Sequence, residues 1–223
     1  MTKDALLTAI EAHVPFDGWS PKAFLTAAAD CDIALADAKA LCPRDALDLA
    51  VAYHHRGDAA MLTAFDAADL TGMRYSEKVA HLIWLRLQAA DRELVRRGSA
   101  LFSLPQNASD GASLIWGTAD AIWTALGDTS DDANWYTKRA TLSAVYGSVV
   151  LYWLGDQSEG DQATRDFIDR RIANVMQIET LKSKARENKL FAALTGPLSQ
   201  MAASIKAPGA APSDLPGHWS RGK

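Results

Sequence analysis

Residues 144–154 constrain the fold more than any other part of the chain, because nine of these eleven residues are apolar. A helix that is apolar on all sides is buried or surrounds an apolar ligand. An acidic turn and the pair Trp135–Tyr136 precede this run, and Gly155–Asp156 ends it. We therefore expect one buried central helix, which starts at Asp131 or Asp132.

The composition is that of a folded helical protein. The chain has 223 residues, of which 48% are hydrophobic and 22% charged, so it contains enough apolar surface for a core. Alanine is abundant, and Gly and Pro are mostly confined to gaps between periodic segments, which favours helices. No run of about 18 apolar residues occurs, so we expect no membrane-spanning helix. Cys31 and Cys42 form no CxxC pair and are expected to be buried free thiols in a reducing compartment.

The first 56 residues have the layout of a helix-turn-helix head. Ser20 followed by Pro21 is a typical helix start, and Pro43 separates a short helix from a longer one. Three short helices with tight breaks, followed by a longer helix, are typical of this motif. The segment from Trp19 to Leu47 resembles the head of TetR-type regulators.

The charge of this head argues against binding to DNA. Residues 1–60 contain five Lys/Arg and nine Asp/Glu, which gives −4, the whole net charge of the protein. The candidate recognition helix, residues 32–39, contains Asp32, Asp37 and Lys39 but no Arg, Asn or Gln. Recognition of DNA needs cations for phosphates and such side chains for base edges. We therefore expect a structural head and no nucleic-acid partner.

The remaining periodicity predicts an all-α protein. We expect a helix that starts at Gly57–Asp58, a long helix from Tyr75 to Arg97, and a partner helix from Ala163 to about Lys184. The predicted units are a head at 1–56, a helical ligand-binding domain at 57–184, an amphipathic helix at 185–206 and a disordered tail at 207–223.

The segment after residue 184 has two interpretations. Several cations precede a narrow apolar stripe, as in helices that lie on a membrane with anionic headgroups. The alternative is an ordinary last helix packed on the domain. The residues predicted to bind membrane are Lys189, Leu190, Phe191, Leu194, Leu198 and Met201.

The sequence shows no catalytic constellation. It contains no Glu-x-x-His unit, no glycine-rich phosphate loop and no Gly-x-Ser-x-Gly motif. Asp128, Ser130 and Asp132 resemble the start of a calcium loop, but Ala133 replaces the glycine and Arg139 the bidentate glutamate. We therefore predict a binding protein that is not an enzyme, with no metal and no cofactor.

Trp135, Tyr136 and Arg139 lie close together at the start of the central helix. Trp135 and Arg139 are four residues apart and share a helix face, and the acidic surroundings favour exposure of that face. Exposed Trp, Tyr and Arg are typical of protein-binding hot spots. The alternative is an aromatic pair that anchors the helix start in the core.

The run Gly127–Tyr146, which reads GDTSDDANWYTKRATLSAVY, resembles the signature of a known family. It is similar to the coenzyme Q (ubiquinone) biosynthesis lipid-binding family, the ninth Coq protein in eukaryotes with its bacterial relatives. Asp156–Ser158 and Phe167–Arg171 extend the resemblance, which covers about residues 112–176. In the head, only the TetR-like layout agrees.

The resemblance implies a fold, a ligand and a partner. The fold is TetR-like and all-α, often dimeric, with DNA binding lost. An isoprenoid lipid or quinone intermediate occupies a pocket, for which the resemblance and the apolar stripes together indicate Trp123, Tyr146, Val149, Val150 and Trp153. The partner, the di-iron demethoxyubiquinone hydroxylase, contacts the positions of Asp132, Trp135, Tyr136 and Arg139. The terminal amphipathic helix associates with membrane.

These implications give one expected function and one rival. The expected function is that of a non-catalytic accessory protein that presents isoprenoid quinone intermediates to the hydroxylase at the membrane. The rival is a ligand-responsive transcription regulator of TetR type. Because the N-terminal residues lack a transit-peptide pattern, the expected location is the bacterial cytoplasm, on the inner face of the cytoplasmic membrane.

Overall fold

The computed structural model describes the backbone of residues 2–187, and side chains up to Val175 together with Gln177. Within this part the chain is all-α, as predicted. The helices are α1 (Lys3–Glu11), α2 (Val14–Asp17), α3 (Pro21–Asp30), α4 (Leu35–Leu41), α5 (Ala46–Asp66), α6 (Tyr75–Gln88), α7 (Arg92–Phe102), α8 (Ala108–Ala125), α9 (Ala133–Gly155) and α10 (Gln162–Glu187).

Helices α1 to α4 and the first half of α5 form the head around its own apolar core. Ser20 caps α3 as predicted, since its Oγ accepts from the Ala23 N–H at 3.2 Å. Trp19 connects the head to α7, because its Nε1 donates to the Leu94 carbonyl at 3.1 Å. The head is thus packed against the rest of the chain.

The helix start predicted at Gly57–Asp58 is wrong. A single helix, α5, runs through both residues and crosses the boundary predicted at residue 56. Gly57 lies inside this helix, and the guanidinium of Arg86 packs against it. A Cβ atom added at Gly57 would lie 2.5 Å from Arg86 Nη1. The glycine therefore permits a close helix contact and does not break the helix.

The single helix predicted from Tyr75 to Arg97 is also wrong. Helix α6 ends at Gln88. Asp91 caps the start of α7, because its carboxylate accepts hydrogen bonds from the N–H groups of Glu93 and Leu94. Arg92 and Arg96 therefore lie in the first turns of α7, where they donate to the carbonyls of Asp156 and Leu154. The last carbonyls of a helix lack partners within that helix, so these arginines close the end of α9.

Helix α9 packs against α8 and α10 in a second core that also contains parts of α5 and α6. Val149 is fully buried there. The expectation that 144–154 is buried on every side is wrong in part, because Leu151 is 69% and Tyr152 38% exposed. The Tyr152 ring stacks on Phe167 of α10, with the ring centroids 4.3 Å apart.

Asp156 fixes the turn between α9 and α10. Its carboxylate accepts from the Ser158 N–H, the Thr164 N–H and the Thr164 hydroxyl. Hydrogen bonds from Thr164 and Ser158 hold the pKa of Asp156 far below its usual range.

The residues predicted to bind membrane, Lys189 to Met201, lie outside the described residues. None of the helices between residues 2 and 187 is long and apolar enough to cross a membrane.

Replacement of Asp156 by Asn should lower the free energy of unfolding by about 1–3 kcal/mol at pH 7, because the amide nitrogen faces N–H donors. The lowered pKa means that the carboxylate stabilises the fold above about pH 4, and that this stabilisation is lost as the pH falls further. Urea unfolding at pH 7 and at pH 3 measures both effects.

The matched control is Asp166→Asn, at an exposed carboxylate of α10. It should change the free energy of unfolding by less than about 0.5 kcal/mol. Equal stability of Asp156→Asn and Asp166→Asn at pH 7 would contradict the role of Asp156.

Candidate ligand cavity and aromatic patch

A cavity of about 430 Å³ lies between the head and the helices that follow it. Trp19 and Tyr53 line it from the head side, and α6, α7, α8 and α9 form its other walls. The exposed side chain of Leu151 also lines the cavity, so the cavity reaches solvent beside this residue. Cavities of this size are typical of small-molecule binding sites.

Three of the five residues predicted to bind lipid line this cavity. They are Tyr146, Val150 and Trp153. Val149 points instead into the second core, where it is fully buried. Trp123 lies elsewhere, with its ring 6.0 Å from the Tyr75 ring and the Lys138 ammonium 5.4 Å from its centroid.

Trp153 is held rigidly in the cavity wall. Its Nε1 donates to Asp161 at 3.2 Å, and the Arg92 guanidinium lies 4.9 Å from its ring centroid. Arg92 also pairs with the same Asp161 carboxylate. Trp153 also lines a second cleft, of about 380 Å³, together with Trp84 and Arg165. The Arg165 guanidinium lies 4.0 Å from the centroid of the Trp84 ring.

The cavity wall contains a buried polar cluster that links α5, α6 and α8. Arg86 Nε donates to Asp58 Oδ1 at 2.7 Å, and Arg86 Nη2 donates to the His54 carbonyl at 3.0 Å. The Thr118 hydroxyl lies 2.8 Å from Asp58 Oδ1 and 2.8 Å from His54 Nε2. Side-chain exposure is 4% for Arg86 and 12% for Asp58.

His54 is a neutral member of this cluster. Burial, followed by the positive charge of Arg86, lowers the pKa of His54 to about 4, so the ring is neutral at pH 7. Its Nε2 shares a hydrogen with the Thr118 hydroxyl, which also lies 3.2 Å from the Leu114 carbonyl oxygen.

Sequence reasoning did not identify Arg86, Asp58 or His54 as site residues. One signal was available: Arg86 interrupts the apolar run of α6 at a position that the helical period places on its buried face. A lone arginine on a buried face needs an acidic partner, but the sequence does not reveal which acid approaches it.

The aromatic residues at the start of α9 form a patch, which consists of Trp116, Trp135 and Tyr136. Ring centroids are 4.8 Å apart for Trp135 and Tyr136, and 6.0 Å for Trp116 and Trp135. Tyr136 is 36% exposed and Trp135 is partly exposed. Asp132 is exposed and caps α9 through the Asn134 N–H.

The expected exposure of Arg139 is wrong, because this residue is only 2% exposed. It pairs with Asp120 and, at 3.0 Å, with Asp128, and its guanidinium lies 4.0 Å from the centroid of the Trp135 ring. Arg139 therefore supports Trp135 from below and does not itself reach solvent.

Asp128 anchors this support from the turn before α9. Its carboxylate accepts from Lys138, Ser130 and Arg139. Burial alone would raise the pKa of Asp128, but these three hydrogen bonds lower it to about 2. The carboxylate is thus ionised at neutral pH, and its oxygens accept hydrogen bonds from side chains of the protein itself.

The described residues contain no group of three or more His, Cys, Asp or Glu side chains arranged to hold a metal ion.

Residues 108–179 match the COQ9 family profile. The match contains α8, α9, the aromatic patch and the first part of α10, close to the range over which the sequence resemblance was seen.

Curated relatives carry the same family name. The chain is 31% identical to "Ubiquinone biosynthesis protein coq9, mitochondrial" of Schizosaccharomyces pombe, over 67% of this chain and 60% of the relative. For the "Ubiquinone biosynthesis protein COQ9, mitochondrial" of Rattus norvegicus, the identity is 37% over 37% of this chain and 26% of the relative. The chain thus spans less than two thirds of the length of these relatives.

The fold is similar to a solved structure of a TetR transcriptional regulator from Nitrosomonas europaea. The TM-score is 0.63 at 21% sequence identity, over 77% of this chain and 95% of the regulator. This similarity confirms the predicted TetR-like fold.

The expected location in the bacterial cytoplasm is wrong. The curated relatives from yeast, rat, slime mould and human are all named as mitochondrial proteins. The expectation relied on the first residues of the sequence, and that segment is an insufficient basis for a compartment.

The family profile, the named relatives and the fold agree with the motif around Trp135: residues 108–179 match the COQ9 family, and the chain has a TetR-like fold.

Proposed function

We propose that the protein is a non-catalytic accessory factor of ubiquinone biosynthesis. It binds an isoprenoid quinone intermediate in the cavity and presents it to the demethoxyubiquinone hydroxylase, which docks on the aromatic patch. The observation that carries this proposal is that α9 contributes to both places. Its first turn carries Trp135 and Tyr136, and Tyr146, Val150 and Trp153 of the same helix line the cavity.

The lining of the cavity suits an apolar ligand. Most of its residues are apolar or aromatic, including Leu94, Phe102, Ile115 and Val150. Each square ångström of apolar surface removed from water stabilises the complex by about 25 cal/mol. Burial of isoprene units in the cavity therefore offsets the cost of exposing a nearly insoluble lipid to water when it leaves the membrane. Contact with the membrane is assigned to the segment from Lys189 to Met201.

The patch suits a protein partner. Partly exposed Trp and Tyr side chains that are held rigidly bind with little loss of conformational entropy. Trp135 is fixed by Arg139 below it and by Trp116 and Tyr136 beside it. We therefore include Trp116 in the proposed docking patch, and we propose that Arg139 supports Trp135 and does not contact the hydroxylase.

The variant Val150→Trp should abolish lipid uptake, because the larger side chain fills the cavity. The protein is incubated with vesicles that contain a polyprenyl benzoquinone, separated from them and extracted for mass spectrometry. We expect the wild type to carry the quinone and Val150→Trp to carry less than about a tenth as much.

The matched control is Ala140→Trp, at an exposed position on the same helix. It should load like the wild type. Equal loading of all three proteins would contradict binding in this cavity, provided that their circular dichroism spectra agree.

The variant Trp135→Ala should weaken binding to the purified hydroxylase by about thirtyfold, since truncation of a hot-spot tryptophan costs about 2 kcal/mol. Biolayer interferometry with immobilised hydroxylase measures the dissociation constants. Phe16→Ala removes an aromatic side chain that is 85% exposed on the head, and should leave binding unchanged. The same dissociation constant for Trp135→Ala and wild type would refute docking at this patch.

A further inference from the structure

The buried polar cluster is more than an apolar ligand requires. A cavity for a hydrocarbon chain needs only apolar walls, yet Arg86 and His54 line this one and Asp58 lies directly behind them. Removing a charged pair from water is costly, and well-packed apolar residues of similar volume are often as stable. A charged side chain in the wall of a cavity is therefore a candidate ligand contact.

The Arg86 guanidinium has one nitrogen that is available to donate a hydrogen bond to a ligand. Its Nε and Nη2 donate to Asp58 and to the His54 carbonyl, whereas Nη1 has no hydrogen-bond acceptor among the described residues. Nη1 lies against Gly57, where the absence of a Cβ makes room for it. Guanidinium groups carry five N–H donors in a fixed plane, so the bond to Asp58 also fixes the direction of Nη1.

Two neighbours complete a polar surface around this group. Tyr146 is 3% exposed and lines the cavity. Burial raises the pKa of Tyr146, so its hydroxyl keeps its proton. His54 also lines the cavity. The wall thus places three polar side chains together, while the rest of the lining is mostly apolar.

We infer that Arg86 Nη1 donates a hydrogen bond to a ring oxygen of the ligand, and that Arg86 thereby selects ligands with an oxygenated ring over purely apolar ones. This inference rests on the proposed function, which assigns an isoprenoid quinone intermediate to the cavity. The ring lies at the Arg86 end, and the apolar chain runs along the remaining walls toward the opening beside Leu151. Arg86 is then a specificity-determining residue, and the cluster holds the ring until the ligand leaves for the hydroxylase.

The rival interpretation is that the cluster only joins α5, α6 and α8. Both roles predict that loss of Arg86 alone would be harmful, because Asp58 would remain buried without its partner. The two roles differ in ligand selectivity. A purely structural cluster does not distinguish two ligands that differ only in their ring oxygens, whereas a ring-binding cluster does.

The experiment compares decylbenzoquinone with decylbenzene, which has the same ring size and chain but no oxygen. Each compound displaces an apolar fluorescent dye from the purified protein, and the displacement curves give two dissociation constants. For the wild type we expect a preference for the quinone of about tenfold, as one hydrogen bond to a charged donor supplies.

The double variant Asp58→Asn, Arg86→Met removes both charges together, and the amide oxygen introduced at position 58 can still accept from Thr118. It should bind decylbenzene like the wild type and show no preference for the quinone. The control Arg44→Met loses surface ion pairs with Asp48 and Asp110 and should keep the tenfold preference.

A second variant, Gly57→Ala, serves if the double variant does not fold. Its Cβ displaces the guanidinium of Arg86 without removing either charge, so the preference for the quinone should fall while the affinity for decylbenzene stays. An unchanged preference in a folded double variant, or in Gly57→Ala, would overturn the inference.

Binding of the two compounds to the wild type also distinguishes recognition of the ring from binding of a lipid in the cavity. Equal affinity for the two compounds would overturn recognition of the ring and leave the lipid cavity standing. Binding of neither compound would remove the lipid cavity itself, and the inference with it.

Discussion

The buried pair of Arg86 and Asp58 is the interaction on which the arrangement of the cavity depends. It joins α6 to the middle of α5, and Thr118 extends it to α8. The pair forms only because position 57 is a glycine, which lets the guanidinium approach the backbone of α5. Helix α5 in turn reaches from the head into the second core. The same contact therefore fixes the head against the helices that follow it and places polar groups in the cavity between them.

A second buried arginine, near the start of α9, is also paired with acidic residues. Arg139 is buried, pairs with Asp120 and Asp128, and supports the Trp135 ring. In both places a buried arginine that is paired with an acidic residue fixes the position of a candidate binding site: the cavity in one case and the aromatic patch in the other. Helix α9 connects the two places, since its start carries the aromatic patch and its second half lines the cavity.

The sequence predicted the helical class, the cap at Ser20 and a cap for α9 at Asp131 or Asp132, because these depend on local propensity and on apolar periodicity; Asp132 is the residue that caps α9. Tyr146, Val150 and Trp153, three residues of the predicted lipid site, line the cavity, and their contact with a lipid stays a prediction. Prediction from the sequence misplaced the helix boundaries at Gly57 and after Gln88. A glycine such as Gly57 indicates a helix break unless the side chain that packs against it is known. The gap between α6 and α7 is so short that the apolar periodicity continues across it. Burial of Arg139 and pairing of Arg86 with Asp58 depend on contacts between helices distant in the sequence, which periodicity does not specify.

The proposed ligand of the cavity is an apolar chain attached to an oxygenated ring. The most direct test is native mass spectrometry of the protein purified without detergent from cells that make isoprenoid quinones, followed by extraction and fragmentation of the bound molecule. We predict about one ligand per chain, with a polyprenyl chain on a quinone or phenol ring, and loss of this ligand in Val150→Trp. A protein that carries no lipid, or only phospholipid or fatty acid, would contradict it.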